Sequence, residues 1–199
     1  KKFKFFELEF EFNKSLRESF ISDYVQLSFS SSSIKNLEIK LNALNSKRSP
    51  DLNYILYRSA YKEYNWYNPN FKDQEVSSLS TEISYKDLIK LSGEYYSINN
   101  YTFFRELTNA LTLEMDSSRK VVPNQIESEI KYLKIKLFSK IDFGSFSFVN
   151  TGQYQQKDQK LEIDGLATLN IPEWITRNSL MYSKKVFNNS LYIQTGITF

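Results

Sequence analysis

The chain contains no cysteine and no histidine among its 199 residues. Without cysteine there are no disulfides, no thiolate nucleophiles and no Cys-based zinc or iron–sulfur sites. Without histidine there is no Ser-His-Asp triad and no imidazole metal ligand. Glycine is scarce, at 5 residues, and none is spaced for a phosphate-binding loop. No window holds 18 uninterrupted apolar residues, which excludes a transmembrane helix. No secretory signal is visible: after the basic start, Glu7, Glu9 and Glu11 interrupt any apolar stretch. The chain opens on Lys1 rather than Met, so it reads as a processed or trimmed product. Neither sign of charge dominates, with 26 Lys+Arg against 23 Asp+Glu. That balance removes both a polycation argument for nucleic acid and an acidic-tail argument for disorder.

What the chain has in quantity is aromatic rings: 16 Phe, 14 Tyr and 2 Trp, spread along its length. Strands and membrane interfaces both favour these residues. The dominant pattern is alternation with period two, the signature of strands with one apolar and one polar face. Phe6, Leu8, Phe10 and Phe12 alternate with Glu7, Glu9 and Glu11. The pattern recurs around Val25–Phe29, Leu37–Leu41, Ile55–Tyr61, Leu79–Tyr85, Leu91–Tyr95, Leu111–Met115, Leu133–Leu137, Phe146–Tyr154, Leu161–Ile163, Leu180–Tyr182 and Leu191–Phe199. These runs predict about twelve antiparallel strands of about 8–11 residues, close to the length of a tilted membrane strand. Turn formers punctuate them: Ser30 to Ser33, Ser49-Pro50-Asp51, Asn68-Pro69-Asn70, Asn99-Asn100, Asp116-Ser117-Ser118 and Asn188-Asn189. Phe104, Leu107, Leu111 and Met115 also have helical spacing, but Thr108 and Thr112 are poor helix formers, and a strand is expected there. With no linker and no shift in composition, residues 1–199 read as a single β-barrel domain or barrel segment.

Alternation alone fits a soluble β-sandwich, a small lipid-binding barrel or a membrane barrel. A small soluble barrel turns its apolar face inward, whereas a membrane barrel turns it outward around a wet lumen. If the polar face lines a lumen, the candidates are Glu38, Lys40, Arg58, Glu82, Lys90, Glu94, Glu114, Lys134, Lys136 and Arg177. Aromatic residues fall near strand ends, where rings at headgroup level form girdles. Girdle candidates are Trp66, Tyr67, Tyr95, Tyr101, Trp174 and Phe199. Other chemistry finds little support. No spacing singles out a carboxylate pair for glycoside hydrolysis. The Glu7, Glu9, Glu11 row reads better as a wetted strand face than as a calcium site. Neither an enzymatic activity, a cofactor, a metal nor a nucleic-acid partner is expected.

From about residue 50 onward the chain resembles the porins of Bacteroidetes-type bacteria. The resemblance is carried by Asn65-Trp-Tyr-Asn-Pro-Asn70, by Leu91-Ser-Gly-Glu-Tyr-Tyr-Ser97 running into Asn99-Asn-Tyr-Thr-Phe-Phe104, by Leu169-Asn-Ile-Pro-Glu-Trp-Ile-Thr-Arg-Asn-Ser-Leu180, and by Leu191-Tyr-Ile-Gln-Thr-Gly-Ile-Thr-Phe199. These motifs are structural, not catalytic. They imply an antiparallel transmembrane β-barrel in the outer membrane of a Gram-negative bacterium, allowing passive passage of small polar solutes. Outer-membrane lipid and other outer-membrane subunits are the implied partners. The alternative readings are an accessory barrel of a larger outer-membrane complex with a plugged lumen, and a soluble β-sandwich or lipid-binding barrel. Members of that family are longer than this chain and continue past the last motif, which implies a portion of a larger barrel.

Overall fold

The computed structural model describes residues 6–16, 21–31, 36–61, 64–107, 120–159, 171–188 and 190–199. The strands are β1 (Phe6–Asn13), β2 (Ser22–Ser31), β3 (Leu37–Arg48), β4 (Leu56–Tyr57), β5 (Trp66–Tyr67), β6 (Gln74–Tyr85), β7 (Ile89–Asn99), β8 (Tyr101–Leu107), β9 (Lys120–Ile126), β10 (Ile130–Phe143), β11 (Phe146–Gln159), β12 (Trp174–Val186) and β13 (Leu191–Thr198). One helical turn, α1 (Leu52–Ile55), precedes β4. Nine strands form one antiparallel sheet in the order β1-β2-β3-β6-β7-β10-β11-β12-β13. Each strand pairs with the next one in the sheet, as expected when hairpins follow one another without crossovers.

Connections at the two ends of this sheet differ in length. At one end they span only 32–36, 86–88, 144–145 and 187–190. At the other end they span 14–21, 49–73, 100–129 and 160–173. Each short turn contains left-handed backbone, at Phe187 (φ 52°) as well as at residues that tolerate it. Asn36 (φ 67°), Gly144 (φ 64°) and Asn188 (φ 52°) supply it, and Lys86 (φ 48°) is held in it by its N–H donating to the Asn36 carbonyl at 2.9 Å.

The described residues of two long connections, 49–73 and 100–129, have structure of their own. β8 and β9 prolong the β7–β10 hairpin beyond the sheet. The register steps from Ile98 opposite Ile130 to Tyr101 opposite Ile126, leaving two residues on one strand against three on the other. That is a bulge, and Asn100 (φ 57°) turns the chain at it. The segment 49–73 lies against this extension. The Gln125 side chain joins the two: its carbonyl accepts from the Lys72 N–H at 2.9 Å, and its amide donates to the Lys72 carbonyl at 2.7 Å. The same amide nitrogen lies 3.1 Å from the Asn100 carbonyl. Lys72 also pairs with Glu127 at 2.8 Å, and Asn100 donates to the Asp73 carbonyl at 2.9 Å.

The antiparallel all-β class is as expected, but three expectations need correction. The strand expected over Ile55–Tyr61 is instead the turn α1 followed by the two-residue β4. Tyr57 in β4 stacks on Trp66 in β5 at 4.9 Å, so its ring packs within the connection. Strands of the sheet reach 14 residues in β10 and β11, longer than the expected range. The sheet is not closed into a barrel: β1 and β13 are its two edges among the described residues. An odd number of strands in such a meander leaves β1 and β13 running in the same direction. They therefore cannot close on each other as an antiparallel pair. Phe104 and Leu107 are in β8, in accord with the strand expectation, while Leu111, Met115, Leu161 and Ile163 lie outside the described residues.

Candidate functional site

Residues directly opposite one another in a sheet share a face, so the register assigns every strand residue to one side. One side carries Phe6, Leu8, Phe10 and Phe12 of β1, Leu37, Ile39 and Leu41 of β3, and Leu79, Ile83 and Tyr85 of β6. It continues through Leu91 and Tyr95 of β7, Leu133, Ile135 and Leu137 of β10, Tyr154 of β11, Trp174 of β12 and Ile197 of β13. No charged residue interrupts this band as far as Tyr182 of β12; past it, toward the β12–β13 turn, Lys184 lies on the same face opposite Ile193. Little covers it, and side chains such as Phe10, Leu79 and Ile197 are 58–71% exposed. The buried apolar residues, Ile126 and Ile130, lie instead where the connections meet the sheet. At an approximate 25 cal/mol per Å² of apolar surface, so broad a face left in water carries a large unfavourable free energy.

The band has a sharp boundary. Beyond it on the same face, toward the long connections, come Asp23, Lys47 and Glu75, with Lys131 and Asp158 further along. Lys47 pairs with Glu75 at 3.0 Å. Rings stand at both margins: Tyr154 and Trp174 at 4.8 Å on the long-connection side, Phe143, Phe146 and Tyr182 on the short-turn side. In β3 to β10 the band runs for seven to eleven residues along a strand, which corresponds to roughly 20–35 Å.

The band also drifts across the sheet. A line across the ladder from Glu9 passes Ser28, Asn42, Ser80, Glu94, Lys134 and Gln155. The band is centred on that line in β1. By β10 and β11 its centre has moved to Phe138 and Asn150, nearer the short turns. A stagger of about 0.8 residue per strand, with a rise of about 3.4 Å and a spacing of about 4.8 Å, tilts the strands by about 30° to the band's normal. Closed barrels tilt their strands in the same way, by about 35–45°.

The opposite face is polar. Glu38, Lys40, Glu82, Lys90, Glu94, Lys134, Lys136 and Arg177 all fall on it by register, so eight lumen candidates share one surface. A recess of about 580 Å³ brings six of them together: Lys40, Glu82, Lys90, Glu94, Lys134 and Lys136. A second, of about 240 Å³, adjoins it at Glu38 and Lys86. Within this surface Glu94 meets Lys134 at 2.7 Å, and Glu82 lies 3.6 Å from Lys40 and 3.4 Å from Lys90. The Tyr96 hydroxyl donates to Glu94 at 3.0 Å. Arg58 lies in the connection after β4, off the sheet, and Glu114 is outside the described residues.

The girdle candidates divide. Trp174 and Tyr95 lie on the apolar face of the sheet. Phe199 follows β13, and its backbone pairs with Asn178 at 2.8 and 2.9 Å. Trp66, Tyr67 and Tyr101 belong to the folded connections, where Trp66 meets the Phe104 ring at 5.7 Å and donates to the Asn53 carbonyl at 2.9 Å. Sequence reasoning missed Phe143, Phe146 and Tyr182, whose grouping depends on the register of three strands. It also missed Gln125, which carries no distinguishing signal in the sequence.

A broad antiparallel sheet with a tilted apolar band on one face and paired charges on the other has the features of a membrane-barrel wall. The model of a protein family described as "Putative porin" matches residues 1–199, and the chain belongs to that family. The match includes residues 1–49, beyond the stretch that carried the resemblance in the sequence. No curated protein and no solved structure matches the chain. A porin family suggests a channel role rather than an enzymatic one, and porin and outer-membrane placement agree with the all-β fold at this level. No helix among the described residues is long and apolar enough to cross a membrane, which says nothing of crossing by strands.

Proposed function

We propose that the chain forms part of the wall of an outer-membrane porin, through which small polar solutes pass passively along a lumen of mixed charge. The observation that carries this reading is the apolar band that no described residue covers on one face, opposite a charged, recessed face. A soluble sandwich or lipid-binding barrel would have to cover that band, and the described residues of 49–73 and 100–129 pack against one another at one end of the sheet instead. In this reading the band faces lipid and the sheet curls toward its polar side, so that Glu38, Lys40, Glu82, Lys90, Glu94, Lys134, Lys136 and Arg177 line the lumen. Short turns then lie on the periplasmic side and long connections outside, the usual asymmetry of such barrels. Trp174, Tyr95 and the Phe143–Phe146–Tyr182 cluster would sit at headgroup level.

Backbone groups in lipid must all be paired, so the edges of β1 and β13 require partners. Because these strands run in the same direction, antiparallel closure takes an odd number of further strands between them. The rest of a longer polypeptide or another outer-membrane subunit would supply them. The Bacteroidetes-type affiliation rests on the sequence motifs alone.

The accessory-barrel reading has one observation in its favour: the described residues of the connections 49–73 and 100–129 fold together at one end of the sheet, where they could obstruct a mouth. Planar-bilayer recording of the purified full-length protein separates the two. Discrete, ohmic openings support the porin reading, and a protein that folds in lipid yet stays silent favours the plugged barrel.

A further inference from the structure

The charges of the polar face are segregated. β1 brings three carboxylates, Glu7, Glu9 and Glu11, while β2 brings none to this face. β10 brings Lys134, Lys136 and Lys140. Lys140 is answered by Asp142 at 3.3 Å and Lys134 by Glu94 at 2.7 Å. In the central recess Glu82 is shared between Lys40 and Lys90. Lys136 has no carboxylate within ion-pair distance among the described residues. Its neighbours across the ladder are Ser92 on β7 and Gln153 on β11, a hydroxyl and an amide. The Gln153 amide donates to Gln155 at 3.0 Å and keeps a second N–H.

The recess therefore holds four ammonium groups against two carboxylates. The acidic row of β1 is five strands away, roughly 24 Å along the sheet. That exceeds the Debye length of about 8 Å at physiological ionic strength, so the row does little to neutralise Lys136. An ammonium group, a hydroxyl and a spare amide N–H converge as donors, and an oxyanion is the complementary ligand.

Building on the pore reading, we propose that this recess is a binding station for small oxyanions, solutes bearing a phosphate or carboxylate group. Lys136 receives the anion, and Ser92 and Gln153 donate to its oxygens. The carboxylates of Glu82 and Glu94 hold Lys40, Lys90 and Lys134 in place and partly offset their charge. That offset keeps the site weak enough to release what it binds, as a conducting site must.

The test uses the full-length protein in planar bilayers with potassium chloride on both sides. Added inorganic phosphate should reduce the chloride current saturably, and acetate should do so at higher concentration if charge density governs the site. Lys136→Gln should raise the half-blocking phosphate concentration about tenfold, the equivalent of one charged hydrogen bond. It should also shift the reversal potential in a salt gradient toward potassium. Ser92→Ala provides a second variant with a smaller shift in the same direction, and Glu9→Gln on the distant acidic row should leave the phosphate block unchanged. A conducting pore in which Lys136→Gln and Ser92→Ala leave the block unchanged, or in which Glu9→Gln weakens it equally, overturns the oxyanion station and leaves the porin reading standing. A protein that folds in lipid and never conducts overturns both.

Discussion

The nine-stranded sheet and the connections at its long end solve the same burial problem in opposite ways. Where 49–73 and 100–129 meet, the protein behaves as soluble proteins do. Ile126 and Ile130 are 3% and 0% exposed, and Gln125 satisfies backbone groups of Lys72 that would otherwise lose water. On the sheet, apolar side chains are as regular as in any core, yet they stand exposed and nothing among the described residues covers them. The same sequence thus builds an interior for one region and relies on its solvent for the other. Burial is therefore a poor guide to which apolar residues matter here.

The largest effect should come from a charge placed in the band. Leu137→Lys, beside the band's centre in β10, is expected to cost about 2–4 kcal/mol of folding stability in a bilayer, the usual midplane penalty for a lysine on the lipid face. Ser80→Lys, on the opposite face between Asn42 and Glu94, should cost within about 0.5 kcal/mol. Urea titration in phospholipid vesicles measures both, and equal costs would erase the distinction between the faces. Next comes the small core of the connections. Ile130→Ala should destabilise by about 2–4 kcal/mol through cavity formation, read as faster proteolytic cleavage within the connections.

Gln125→Ala should follow at about 1–3 kcal/mol, because it leaves both the N–H and the C=O of Lys72 without the side-chain amide that satisfies them. Amide hydrogen exchange at residues 71–73 reports it directly, with the sheet unaffected. The smallest effect concerns Glu129, between the sheet and the β8–β9 extension. The Ser97 hydroxyl donates to it at 2.6 Å and, with Lys131 nearby, holds its carboxyl below the usual carboxylate range. A lowered folded-state pKa contributes stability that is present above the ordinary carboxylate range and lost as pH falls through the lowered value. The bond to Ser97 should accordingly loosen only in acid, and Glu129→Gln should abolish that pH dependence.

Much of the sheet was legible in the sequence because period two is set by local geometry. Leu37-Glu-Ile-Lys-Leu41 and Leu133-Lys-Ile-Lys-Leu137 show their faces without knowledge of any partner, and the eight lumen candidates on strands share one face for that reason. Arg58 was misplaced because Leu52–Tyr57 alternates weakly, and contacts among Tyr54, Tyr57, Trp66 and Phe104 decide its conformation. The apolar margins were only partly readable. Trp174 stands out by its type, but Phe143, Phe146 and Tyr182 acquire meaning when the β10–β11–β12 register aligns them. Tilt was not readable at all, since it depends on the offset of the band from one strand to the next.

The central claim is that one face of the sheet meets lipid and the other meets water. These 199 residues contain no cysteine, so single cysteines at Leu133, Lys134, Ile135, Lys136 and Leu137, in a background with any cysteine elsewhere replaced, can each carry an environment-sensitive fluorophore in the full-length protein folded into vesicles. The account predicts strict alternation: positions 133, 135 and 137 quenched by a lipid-borne quencher, and 134 and 136 by an aqueous one. Uniform aqueous quenching, or shielding of 133, 135 and 137 from both quenchers, would contradict it.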